Sequence, residues 1–368
     1  MATGNIPLIY KRIAVKVGSN VLTRPDGTLD ITRMSAIVDQ IAALHHAGVR
    51  PVLISSGAVA SGRSEVNADR KLDPVSARQL YSAVGQAKLI NRYYELFRDH
   101  GIRCGQVLTT KENFSTRRHY LNQMHCMEVM LSADVIPVVN ENDTVSLTEL
   151  MFTDNDELSG LIASMMNMQA LVILTNVDGI YTGNPSDPGS RLITDMDPDT
   201  DASDCISQTR STLGRGGMTT KYRIARKVAS EGIAVVIANG RREGILLDVA
   251  AGNRDVPYTL FRPAEGSASP VRKWIAHSED FAKGCVGVND GAAAALLSSG
   301  GASLLPVGVT SVTGDFEKDD IIRVADHSGS VIAWGRASYD ADGVRAVIGD
   351  RGARPVIHRD YLYIDNID

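Results

Sequence analysis

Six short clusters along the 368-residue chain carry side chains that could hold or move charge. In Ile13-Ala14-Val15-Lys16-Val17-Gly18-Ser19 a lysine stands next to the end of an apolar, strand-like run. Such an ammonium either belongs to an edge strand and reaches water along its stem, or it is buried and faces an anion, because an unpaired buried charge is costly. Ser55-Ser56-Gly57 closes a second apolar run. Backbone N–H groups in so small a turn can receive a carboxylate or phosphate, although a plain glycine-rich connection has the same composition. Asn140, Glu141, Asn142 and Asp143 offer amides and carboxylates suited to an ammonium or a polar ligand, or simply to a polar turn. Asp154, Asn155 and Asp156 precede the helical stripe Leu158, Leu161, Ile162, Met165, Met166. One of the three satisfies a helix cap, and the surplus points to a function for Asn155 and Asp156. Thr175-Asn176 ends a further run ahead of turns at Asp178-Gly179 and Asn184-Pro185. The last cluster, Gly214 to Lys221, is a glycine-rich loop entering a helix, with Lys221 in its first turns. Helix N-termini attract phosphate.

Two familiar chemistries are excluded. The pattern G-x-x-x-x-G-K-[ST] does not occur, so this is not a P-loop protein. Nor does Ser55-Ser56-Gly57 form the G-x-S-x-G elbow of a serine nucleophile.

The clusters need a scaffold that brings strand ends together, and the sequence supplies one. The runs IAVKV, VRPVLIS, IRCGQVLT, VIPVVN, ALVILT and IAVVIA are rich in Val and Ile and mostly continuous. Continuous apolar runs suit strands covered on both faces, as in a largely parallel sheet between helical layers. The stripe Met34, Ile37, Val38, Ile41, Leu44 marks one of those helices. Residues 1–262 are therefore predicted to form an α/β/α sandwich, whose ligands would sit beyond the carboxyl ends of the strands. Pro, Ser, Gly and Ala dominate the next stretch, so 263–277 is expected to be a linker. Residues 278–368 have shorter β-like pieces and one helix capped at Asp290, which predicts a small β-rich domain.

Composition narrows the class. With 43% hydrophobic and 22% charged residues the chain is an ordinary globular protein. A net charge of −5 argues against nucleic acid as the main partner. Cys104, Cys126, Cys205 and Cys285 are widely spaced, which indicates neither a zinc site nor a disulfide framework. The N-terminal residues lack the pattern of a signal peptide and no apolar run reaches membrane-spanning length, so the cytoplasm is expected and a membrane is not.

In order, the motifs V-K-V-G-S, S-S-G, N-E-N-D, D-N-D-E-L-S, T-N-V-D-G-I-Y-T and G-x-G-G-M-x-T-K resemble the amino acid kinase family, and within it the branch that phosphorylates L-glutamate. The C-terminal segments SLLPVGVTSVTGDF and VIHRDYL resemble a PUA domain as those kinases carry it. The resemblance implies ATP with Mg²⁺, a γ-carboxylate acceptor and a place at the start of proline synthesis. It further implies a homo-oligomer, feedback inhibition by proline and hand-over of the product to glutamyl phosphate reductase. By position, Lys16 and Lys221 match the phosphate-contacting lysines, and Asp156 the acid that holds them. Ser56, Gly57, Asp143 and Asn155 match acceptor-binding positions. Thr175, Asn176, Gly216, Gly217, Met218, Thr219 and Thr220, with both lysines, match nucleotide-binding positions. Two departures stand out: Asn176 where the family usually has Asp, and Arg215 where it usually has Thr.

Three rival readings follow. N-acetylglutamate kinase and aspartate kinase would share the sandwich and the lysines, but not the PUA-like tail. An RNA-binding PUA protein would need a basic tail, whereas 278–368 hold eight Lys and Arg against fourteen Asp and Glu.

Overall fold

The computed structural model describes residues 8–66, 72–146, 152, 154–197, 217–266, 270–278, 281–298 and 302–364. The chain divides into two units, one built from residues 1–113 and 122–267, the other from 114–121 and 268–368.

The first unit runs β1 (Arg12–Val17), α1 (Ser19–Leu22), α2 (Ile31–His46), β2 (Arg50–Ile54), α3 (Ala58–Arg63), α4 (Pro74–Asp99) and β3 (Arg103–Thr109). It continues through α5 (Arg117–Ser132), whose first residues belong to the second unit, to β4 (Val135–Glu141), α6 (Asn155–Met165) and β5 (Ala170–Thr175). A small hairpin of β6 (Ile180–Tyr181) and β7 (Leu192–Ile193) follows, then β8 (Asp195–Met196), α7 (Met218–Ser230), β9 (Ala234–Asn239), α8 (Ile245–Ala251) and β10 (Tyr258–Phe261). The main sheet has the order β3-β4-β2-β1-β5-β9-β10-β8. Its first six strands are parallel, each one of the six runs legible as a continuous apolar segment. Only β10 turns antiparallel against β9, carrying the short β8 with it.

β1 lies at the centre, between β2 and β5, with Lys16 opposite Ile54 and Ile173. The edge-strand reading of Lys16 is thereby corrected. Side chains alternate along a strand, and Ile13, Val15 and Val17 enter the core formed with α2, α4 and α8. Lys16 points to the other face, where α6 and α7 cover the sheet. These two helices approach closely at Gly160: a Cβ there would lie 2.8 Å from Ile224 Cγ2 and 3.1 Å from Val228 Cγ2.

The second unit contains α9 (Pro270–Ala276), β11 (Gly284–Val288), α10 (Asp290–Leu297), β12 (Val309–Gly314), β13 (Ile321–Ala325), β14 (Val331–Arg336), α11 (Ala341–Val347) and β15 (Leu362–Ile364). Its sheet, ordered β12-β11-β13-β14-β15, is antiparallel except for the β11–β13 pair. Val286, Val288, Ile322, Val324, Val344 and Ile357 form its core.

Two expectations are corrected here. The stretch 263–277 is not all linker: Pro270 opens a helix, and Trp274, Ile275 and Ala276 are buried. Composition misled because proline also suits the first helical turn. Trp274 Nε1 donates to Phe114 O at 3.1 Å, which ties the mid-chain segment 114–121 into this unit. The cap of α10 is Asn289, whose side chain accepts from Ala292 N–H, and Asp290 is already helical. Among the described residues no helix is long and apolar enough to cross a membrane.

Candidate active site

The parallel arrangement brings the carboxyl ends of β1, β2, β4 and β5 to one edge, where the start of α6 and the first turn of α7 meet them. A cavity of about 480 Å³ lies there. Lys16, Ser56, Gly57, Asp143, Asn155, Asp156, Thr175 and Lys221, spread over the sequence, all line it.

At its inner end Asp156, on the first turn of α6, accepts Lys16 Nζ on Oδ1 and Lys221 Nζ on Oδ2, the latter at 2.9 Å. Asp156 is 1% exposed and Lys16 4%. Burial alone would raise the Asp156 pKa, but the Lys16 and Lys221 ammoniums and their hydrogen bonds outweigh it and bring it down to about 2. The carboxylate is therefore ionised throughout the physiological range, and the three groups together carry one excess positive charge. Such a cluster suits an anion with several oxygens.

Its neighbour Asp154 caps α6, accepting from Asp156 N–H at 2.9 Å and Glu157 N–H at 3.1 Å through Oδ1. The other oxygen, Oδ2, is buried without a hydrogen-bond partner among the described residues. Burial and the adjacent Asp156 raise the Asp154 pKa to about 6. The start of α7 is different: Gly217 is its N-cap, and among the described residues no side chain caps the helix. A helix N-terminus entered through glycine is a place that can receive phosphate.

The outer part of the cavity is organised by Asn155. Its Nδ2 donates to Ser55 O at 2.8 Å, to Ser56 Oγ at 3.0 Å and to Asn140 Oδ1 at 3.0 Å, fastening the ends of β2 and β4 to α6. Gly57 turns the chain into α3 at φ 101°, a left-handed conformation that glycine adopts without strain. Opposite, Arg78 on α4 reaches Asp143 and Glu141.

Not every sequence-derived residue converges. Asn176, Gly217, Met218, Thr219 and Thr220 do not line this cavity, although Thr175 and Lys221 beside them do. Gly216 lies outside the described residues, as does Arg215. Three participants lacked an assignment from sequence. Glu141 and Asp154 sat inside recognised clusters, but the family resemblance assigned neither a role. Arg78 had no signal, being one arginine on a long helix.

Comparison with known proteins decides the family. The amino acid kinase family model matches residues 11–239, and a PUA domain model matches 284–358. The chain belongs to the amino acid kinase family, in its glutamate 5-kinase branch. The glutamate 5-kinase of Bacteroides thetaiotaomicron is 62% identical over 356 residues, covering 97% of this chain and 99% of the relative. That of Chlorobaculum tepidum is 46% identical over 359 residues, covering 97% and 98%. Among solved structures, carbamate kinase from Giardia lamblia bound to AMP-PNP has a TM-score of 0.51 at 14% identity, covering 70% of this chain and 99% of that one. That likeness shows a shared fold over 70% of this chain at a level where sequence similarity has nearly vanished.

Proposed function

We propose that the chain transfers the γ-phosphoryl group of ATP to the γ-carboxylate of L-glutamate, giving L-glutamyl 5-phosphate and ADP, the first step of proline biosynthesis. One observation carries this reading: Lys16 and Lys221 converge on a single buried aspartate in the cavity that also holds Ser56, Asp143 and Asn155. A glutamate side chain with a pKa near ~4.3 is already ionised at neutral pH, so it attacks without a general base. Its oxygen bonds to the γ-phosphorus, the bond to the β–γ bridging oxygen breaks, and ADP leaves with that electron pair. Positioning and positive charge on the moving oxygens are what such a transfer requires.

In this reading Lys16 and Lys221 neutralise the transferring phosphoryl group, and Asp156 fixes their aim before substrate arrives. Asp143 receives the α-ammonium of glutamate, with Ser56, Gly57 and Asn155 around the rest of the molecule. Thr175, Asn176, Gly216, Gly217, Met218, Thr219 and Thr220 hold the nucleotide, an assignment supported by the place of Gly217 as N-cap at the start of α7. Mg²⁺ would arrive with ATP, carried by phosphate oxygens and water, and would offset their charge. The family resemblance adds a cytoplasmic homo-oligomer that proline inhibits and that passes its acyl phosphate to glutamyl phosphate reductase.

The test is ADP release by the full chain with ATP, Mg²⁺ and a panel of acceptors, with hydroxylamine present to trap an acyl phosphate. L-Glutamate should support release and yield a hydroxamate. Preference for N-acetylglutamate or aspartate would assign the chain to another member of the family.

A further inference from the structure

The proposed acceptor carries three charges, and two of them have partners in the cavity: the γ-carboxylate lies with the two lysines and the α-ammonium with Asp143. The α-carboxylate is left over, and burying it without a counter-charge would be costly. Four basic side chains line the cavity among the described residues: Lys16, Arg63, Arg78 and Lys221. Lys16 and Lys221 are held by Asp156, and Arg78 is engaged by Asp143 and Glu141. Arg63 differs. Its guanidinium lies over the Tyr81 ring, 5.7 Å from the centroid, and no carboxylate among the described residues pairs with it.

The fold fixes Arg63 relative to the acceptor groups. It is the last residue of α3, a helix of six residues that starts from Gly57 beside Ser56 and so spans only about 9 Å. Side chains tilt towards the N-terminus of their helix, which for Arg63 is the direction of Gly57 and Ser56. The helix is pinned to α4 by contact between backbones: a Cβ on Gly62 would run into Tyr81 O, and one on Gly85 into Ala58 O. Tyr81, on α4, lines the cavity as well.

We infer that Arg63 binds the α-carboxylate of the amino acid acceptor and selects for it. The inference rests on the proposed glutamate reading. The planar fork of a guanidinium receives both oxygens of a carboxylate and keeps its charge at any working pH, while the Tyr81 ring supports it from one face. An arginine in the last turn of α3 also complements the negative end of that helix. A residue confined to that task would leave the choice of acceptor untouched, and this separates the two roles.

The test compares L-glutamate with L-isoglutamine, the same molecule with its α-carboxylate replaced by an uncharged amide and its γ-carboxylate intact. ADP release by the full chain at saturating ATP is measured against each acceptor for wild type, Arg63→Met and Arg63→Gln. Wild type should prefer L-glutamate by ~10- to 100-fold in kcat/KM, the cost of leaving a charged hydrogen-bonding group without its partner. Both variants should lose a similar factor towards L-glutamate, while kcat/KM for L-isoglutamine and KM for ATP hardly change, so that the preference collapses. Arg63 is exposed, so both should fold, which circular dichroism verifies. A wild type indifferent between the two acceptors would overturn the inference without any variant, and so would variants that lose activity towards both acceptors alike and keep the wild-type preference. In either case L-glutamate remains a substrate and the proposed function stands. Wild type inert towards L-glutamate would overturn the proposed function, and this inference with it.

Discussion

Lys16 and Lys221 are bound to opposite oxygens of one carboxylate, that of Asp156, although one lysine ends a central strand and the other begins a helix far along the chain. Neither ammonium could be buried alone, and two together would repel. A single aspartate between them removes the repulsion and leaves one positive charge over. The arrangement is therefore stable as a protein interior and sets two ammonium groups side by side where phosphate oxygens can reach them.

Asp154 makes folding stability depend on pH. Burial and Asp156 raise its pKa to about 6, so the folded chain binds that proton more tightly than the unfolded one. The resulting stabilisation is complete below about pH 4 and is lost as pH rises through about 6. Asp154→Asn keeps a capping oxygen and cannot ionise. Its Tm should exceed that of wild type at pH 8, with the gap closing at pH 4. Thermal melts at both values check this, and a variant less stable than wild type at pH 8 contradicts it.

The closeness of α6 and α7 keeps Lys221 within reach of Asp156. Gly160 lies one helical turn beyond Asp156 and faces Ile224 and Val228. Gly160→Ala should overpack this crossing at a cost of about 1–3 kcal/mol and lower kcat by moving the lysine away. Urea unfolding and steady-state kinetics on the same preparation would show both losses; normal kcat with reduced stability would separate the crossing from the site.

Asn155 is a donor surrounded by three oxygens. Asn155→Asp preserves shape but sets a carboxylate against them, leaving buried acceptors unpaired at about 1–3 kcal/mol. The expected result is a lower urea midpoint together with a higher KM for L-glutamate. Wild-type values for both would show that the contacts of this amide are dispensable.

Much of this was legible before the structure. The six parallel strands followed from apolar continuity, whereas the roles of Lys16, Asp156 and Lys221 came from the family resemblance, since a strand lysine, a helix-start aspartate and a loop lysine each fit an ordinary structural reading. What sequence concealed was long-range pairing. Arg78 acquires meaning only through Glu141 and Asp143, which β4 delivers to it from another part of the chain. The strands β8 and β10 are too short to show a period. Helix α9 was masked by proline and small residues, and the bond that anchors it, from Trp274 Nε1 to Phe114 O, reaches back to mid-chain. Residues 114–121 carry no local mark of the unit they join.

The central claim is that two lysines and one aspartate act as a single device on the transferring phosphoryl group. Its most direct test is kcat for Lys16→Met, Asp156→Asn and the double variant, with folding verified by circular dichroism and ATP and L-glutamate both saturating. Methionine keeps much of the lysine stem, so the fold should survive. Loss of one preorganised electrostatic donor should lower kcat on the order of 10² to 10³, and the double variant should be little worse than Lys16→Met alone. A normal kcat in Lys16→Met, with only KM for ATP raised, would contradict the account and leave Lys16 as a residue that binds nucleotide without acting on the transfer.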